Sequence, residues 1–178
     1  SAKGCRLMPT TILTDIAEAK ITQAAGSGSQ VAITHVALGD GNGASYNGDF
    51  DQTSLRRERV RVPIERRHIV SPSAWRVKAE FGADTLAFDV REAGFFDADG
   101  DLIALCTFPA AEVRRTGAIV YLIDHVLNFS RVAEGLIIVD APDDDLFDHV
   151  VVDLETQALT YSTQYDLQMA VRALQAVT

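Results

Sequence analysis

Apolar positions recur along this chain with two different periods. From Ile12 to Ala25, the residues Leu13, Ile16, Ala17, Ile21 and Ala24 fall close to one face at helical spacing, which predicts an amphipathic helix. Asp15 with Glu18 three residues later fits a capping box, and Gly26 ends the pattern. Val31 to Leu38 is β-rich and alternates only in part, as a strand buried on both faces does. Gly39-Asp40-Gly41-Asn42-Gly43 is too glycine-dense for either element and predicts a tight turn with positive φ, continued by a polar loop to Thr53.

Beyond the loop the period is two. Arg57 to Val70 alternates in part, and Pro63, which lacks a ladder donor, marks an edge strand. Trp75 to Phe81 alternates cleanly, as a half-buried strand does. Leu86 to Val90 is extended. Glu92 to Phe96 and Leu102 to Phe108 flank Asp97-Ala98-Asp99-Gly100-Asp101, a hairpin signal. Gly117 to Phe129 reads as one long strand and Gly135 to Asp140 as another. The expected class is α+β, mainly β: an antiparallel sandwich-like domain with a helix at each end of the chain.

The C-terminal quarter differs. Pro142-Asp143-Asp144-Asp145 breaks the strand pattern, and Val150 to Leu154 reads as a last short strand or extended tail. From about Thr163 the composition turns helical. Leu167, Ala170, Val171, Leu174 and Val177 fall on one side, with heptad spacing at 167, 170, 174 and 177. Two heptads do not make a stable isolated helix, so this stripe is a candidate oligomerisation surface. The resulting division is a flexible N-terminus over 1–10, a main domain over 11–140, and an acidic linker with a C-terminal helix over 141–178.

The 178 residues are 47% apolar and 23% charged, enough for one domain with a core. The net charge of −9 is uneven: Val132 to Thr178 carries nine acidic residues and one basic, the rest 16 acidic and 15 basic. Such a chain lacks the broad basic face of a nucleic-acid binder. No run approaches the roughly 20 apolar residues of a membrane span, and Ser1 to Leu7 has no apolar signal region. Cys106 sits in an apolar stretch and reads as a small buried residue; with Cys5 it makes no metal motif, and a reducing compartment is the simpler expectation.

Catalytic, cofactor and metal motifs are weak. The aspartates at 97, 99 and 101 lack the sixth-position glycine and twelfth-position glutamate of a calcium loop. Gly39-x-Gly41-x-Gly43 fits neither the dinucleotide fingerprint nor a P-loop. His35, His68, His125 and His149 form no paired zinc spacing, and His35 and His125 lie in expected strands. Asp143 to Asp145 reads as a solvated run rather than a hydrolytic pair. No catalytic residue, cofactor ligand or metal ligand is nominated. Arg56, Arg57, Arg59, Arg61, Arg66 and Arg67 cluster within twelve residues, offset only by Glu58 and Glu65. They read either as a charged edge that resists aggregation or as a docking surface for an acidic partner.

Four segments, in order, resemble the N-terminal domain of phage tail-collar fibre proteins: Thr11 to Ile21, Thr34 to Gly43, the Gln-Thr-x-Leu element in Gln52 to Glu58, and Val90 to Ala104 with its Arg-Glu-Ala-Gly and Phe-Asp-Ala-Asp-Gly-Asp-Leu-Ile-Ala. The resemblance implies a non-enzymatic structural protein of the virion tail, assembled in the bacterial host cytoplasm. It would fix a homotrimeric fibre to the baseplate of a phage or phage-like contractile particle. Its partners would be baseplate proteins and other fibre chains, with no nucleic acid and no membrane insertion. The trimer number comes from the family, whereas the expected seam, a short trimeric coiled coil, is the apolar stripe of the C-terminal helix itself. The family's long shaft and receptor-binding tip are not in these residues, so the chain is expected to be a fragment or a short adaptor. The alternatives are a receptor- or carbohydrate-binding module of the tail and a tail-associated glycan hydrolase.

Overall fold

Thr14 decides where the helix begins. Its hydroxyl accepts from the Ala17 amide at 3.2 Å, making it the N-cap of α1 (Asp15–Ser27). The four residues before the cap form strand β1 (Thr10–Leu13). The helix expected from Ile12, capped by Asp15, therefore starts later, and Ile12 and Leu13 belong to a strand. They pair with Leu105 and Ala104 of β8 (Leu102–Thr107), and these long-range ladder bonds override the local helical pattern. The end is corrected too: Gly28, at φ +71°, caps the helix two residues beyond Gly26.

The computed structural model describes residues 10–117, 120–129, 132–133 and 135–144. Contacts divide the chain into two compact units, Ser1–Asp143 and Asp144–Thr178, and the architecture that follows belongs to the first. The expected C-terminal helix and coiled coil, with Leu167, Ala170, Val171, Leu174 and Val177, and the segment Val150 to Leu154 lie outside the described residues.

Among the described residues the larger sheet has six strands. Its order is β1-β8-β7-β2-β11, where β7 is Glu92–Asp97, β2 is Val31–Gly39 and β11 is Ile137–Val139; β3 (Glu58–Pro63) also pairs with β2. The expected single strand from Arg57 to Val70 is two strands in two sheets. Pro63 ends β3, Ile64 is buried, and β4 (Arg66–Ser71) joins β5 (Ala74–Phe81) and β10 (Tyr121–Asn128) in the order β10-β5-β4. Both pieces are edge strands, as the proline implied. The long strand expected over 117–129 is shorter. Gly117 turns at φ +97° and β10 starts at Tyr121, while β9 (Arg114–Arg115) pairs separately with β6 (Asp89–Val90).

Among the described residues, every pair of named strands is antiparallel except one: Ile137–Val139 runs parallel to Val31–Ile33. The chain reaches β11 only after crossing through the smaller sheet, and a long crossover of that kind is what parallel pairing needs.

The two sheets share one core. Val36, Leu38, Ala93, Phe95 and Cys106 from the larger sheet cluster with Val77, Ala79, Ile123 and Leu127 from the smaller one and with Ala17 and Ala24 of α1. The His125 ring stacks on Phe95 at 5.6 Å between centroids, joining β10 to β7. Other residues of the larger sheet form a second cluster, in which Ala37, Phe96, Leu102 and Leu105 are covered by Leu55 from the long loop after Gly43. Hence β7 and β8 are buried at every position. Gly94 marks the closest contact: a Cβ there would lie 2.8 Å from Leu102 and from Phe96 and 3.0 Å from Leu55.

Candidate functional site

Glu92 is the most deeply placed charged group among the described residues, with no solvent exposure. A carboxylate in such a place needs donors on every side. It opens β7, where its register partner on β2 is Gly39. Only glycine fits there, because a Cβ would sit 2.3 Å from Glu92 Oε1 and 2.7 Å from the Arg57 carbonyl.

The donors come from the turn and loop that follow Gly39. Gly41, Asn42 and Gly43 take positive φ in succession (60°, 58° and 86°), so the chain curls inward there. The Gly41 amide donates to Glu92 Oε1 at 3.1 Å, and the Asn42 amide to Asp40 Oδ1 at 3.1 Å. The loop returns with Arg56 and Arg57, whose amides donate to Glu92 Oε2 at 3.0 Å and Oε1 at 2.9 Å. The Tyr46 hydroxyl completes the set by donating to Oε2. Burial, with the bond to Glu92, pushes that phenol well above its usual range. Tyr46 is itself clamped, by the Gln52 amide at 3.3 Å from its hydroxyl and the Arg56 guanidinium 3.6 Å above its ring.

Asp40 forms the outer layer. Arg57 donates to it through Nε at 2.6 Å and Nη2 at 2.5 Å, and Arg59 stands at 3.8 Å. The bidentate Arg57 contact, opposed by burial, holds the Asp40 carboxyl below its ordinary value. Two amides of the glycine turn that would have had to cradle a phosphate, those of Gly41 and Asn42, are thus bonded to this chain's own carboxylates.

The arginine cluster of the sequence divides. Arg56 and Arg57 belong to the layers around Glu92 and Asp40. Arg61 pairs with Glu58 at 2.7 Å and lies 3.6 Å over Phe96. Arg59 lies 5.7 Å from the Phe88 ring centroid. Arg66 and Arg67 lie in the other sheet, where Arg67 bonds Asp143 at 2.9 Å and Arg66 reaches the Asp143 carbonyl at 3.4 Å.

The hairpin turn after β7 has its own ion cluster. Asp97 Oδ1 accepts from the Asp99 and Asp101 amides at 3.1 and 2.9 Å, which closes the turn read from the sequence. The three carboxylates lie within 4.8 Å of one another. At their centre is the Lys20 ammonium of α1, bonded to Asp97 and lying 2.9 Å from Asp99 and 2.6 Å from Asp101. Partial burial opposes that charge, but the three carboxylates outweigh it and raise the lysine above its usual range. His125 Nε2 lies 2.9 Å from the Thr11 hydroxyl of β1, and burial lowers the imidazole despite Asp124. Cys106 is a buried free thiol pushed up to about 11 by burial.

Spacing along the chain could not reveal that Gly39, Tyr46, Gln52, Arg56, Arg57 and Glu92 meet. The sequence signal was only the order of the four segments noted above, three of which hold all of these residues but Tyr46; the carboxylate that joins them lies about 35 residues beyond the arginine amides whose hydrogen bonds it accepts. A family model described as phage tail-collar fibre protein, N-terminal, matches residues 8–122, a span from before β1 into β10. No curated protein and no solved structure matches the chain.

Proposed function

The chain belongs to the phage tail-collar fibre protein family, and from that membership we propose that this structural tail component attaches a tail fibre to the baseplate of a phage or phage-like contractile particle. The observation that carries the reading is the convergence of the family-like segments on Glu92. Three backbone amides and a phenol from one long loop are spent on immobilising that loop against the sheet. A loop held in this way presents a fixed surface, which is what a docking module needs.

In this reading residues 11–140 are the attachment domain. Residues 141–178 are an acidic linker and a helix that holds three copies together through Leu167, Ala170, Val171, Leu174 and Val177. Mass measurement in solution of the whole chain and of a version ending at Thr160 tests this. An oligomer that survives the truncation removes the C-terminal helix as its source. The arginine edge, Arg56 to Arg67, is offered to an acidic baseplate surface. Because Arg57 and Arg59 serve Asp40 and Arg61 serves Glu58, charge reversal at Arg66 probes it without breaking those pairs. Capture of the wild-type chain by purified baseplate proteins is the direct test of the whole reading, and its absence would sink it.

A further inference from the structure

A groove of about 640 Å³ runs between β1, α1 and the end of β10. Ile12, Leu13, Ile21, Phe129 and Val132 give it an apolar floor, and Glu18 and Phe50 stand at its rim. Phe50 is 60% exposed, yet its backbone is held firmly. Its carbonyl accepts from the Asp15 amide at 2.8 Å, and the neighbouring Asp49 amide donates to Gln52 at 2.9 Å. Gln52 in turn contacts Tyr46, so this loop tip is tied to the Glu92 assembly. A large aromatic fixed on a rigid loop and left in water is the usual anchor of a protein interface.

The charges around it share one sign. Asp15, Glu18, Asp49 and Asp51 are all exposed near Phe50, and no basic side chain lines the groove among the described residues. Asp15 and Glu18 also suit the positive end of the α1 dipole, but that does not account for Asp49 and Asp51. A second copy of this chain is a poor occupant. Its net charge is −9, and Arg57, Arg61, Arg67, Arg76 and Arg115 are bonded to carboxylates of their own copy.

We propose that this groove docks a segment of a partner protein that inserts an apolar side chain beside Phe50 and carries lysine or arginine on either side of it. The proposal rests on the attachment reading and names the surface through which it works. The apolar floor supplies affinity, and the acidic rim selects basic flanks and speeds encounter.

The probe is a fluorescent octapeptide of alternating lysine and leucine, with glutamate–leucine and lysine–serine peptides as controls, followed by anisotropy on the full chain. Binding is expected for the lysine–leucine peptide alone. Phe50→Ser and Glu18→Lys are expected to weaken it about tenfold or more, from lost apolar area and reversed charge. Glu80→Lys, which reverses an exposed acid on β5, is expected to change it less than about twofold. Equal losses at Glu80 and Glu18, or no loss at Phe50, would overturn the groove as the site. All three positions are exposed, and unchanged unfolding midpoints confirm intact variants. Capture by purified baseplates separates the two claims. Wild type captured while both groove variants are captured equally well removes the groove alone, whereas wild type not captured at all removes the attachment reading.

Discussion

Replacing Glu92 by glutamine tests whether the buried carboxylate holds the long loop in place. The change keeps size and removes charge, so the result separates two opposing effects. Losing the charge relieves a desolvation penalty, which can make removal of a buried ion neutral or even stabilising when its partners are removed as well. Here they stay, because three of the four donors are backbone amides of Gly41, Arg56 and Arg57. The best amide orientation keeps oxygen at the Oε1 position, where Gly41 and Arg57 converge, and lets Tyr46 accept from the new NH2 group. The Arg56 amide then faces a donor and has no acceptor. Two surviving bonds drop from charge-assisted to neutral, each losing about 1 kcal/mol, and a buried unsatisfied amide adds about 1–3 kcal/mol. We therefore expect Glu92→Gln to destabilise by roughly 3 kcal/mol, a large share of the 5–15 kcal/mol typical of a domain. Equilibrium unfolding in guanidinium chloride measures it. Limited proteolysis, read by mass spectrometry, should show new cleavage between Gly43 and Leu55, with the strands intact until global unfolding. A loss under about 0.5 kcal/mol, or no change in the cleavage pattern, would refute the reasoning.

Two further tests follow from the same geometry. Lys20→Met leaves three aspartates facing one another with Asp97 mostly buried, so a loss of about 1–3 kcal/mol is expected at low ionic strength; the deficit should shrink as added salt screens the charges, and one that stays constant would argue for lost packing instead. His125 is held neutral by burial, with its folded value below its unfolded one, so the unfolded chain binds the extra proton and stability should fall as pH drops below about 6.5. The slope from one such group is at most about 1.4 kcal/mol per pH unit, and His125→Gln should flatten it in urea titrations between pH 7 and 5.

Local chemistry made much of this molecule legible in the sequence. The Asp97–Asp101 hairpin, the left-handed turn at Gly41–Gly43 and the alternation of Trp75 to Phe81 each rest on interactions within a few residues, so a short window contains their cause. Pro63 identified an edge because a missing amide is a property of the residue itself. Tertiary structure decided what such a window cannot hold. Thr10–Leu13 is a strand because β8, some 90 residues away, offers it a ladder, although its apolar spacing suits a helix. The division of Arg57 to Val70 between two sheets, and the parallel pairing of Ile137–Val139 with β2, depend on where the chain is carried after it turns. Glu92 is the clearest case: as one acid at the start of an expected strand it is indistinguishable from a surface residue, and only the folded chain brings three backbone amides and a phenol around it. Side-chain periodicity records which face is buried, whereas the partners of a buried charge are set by contacts between distant segments.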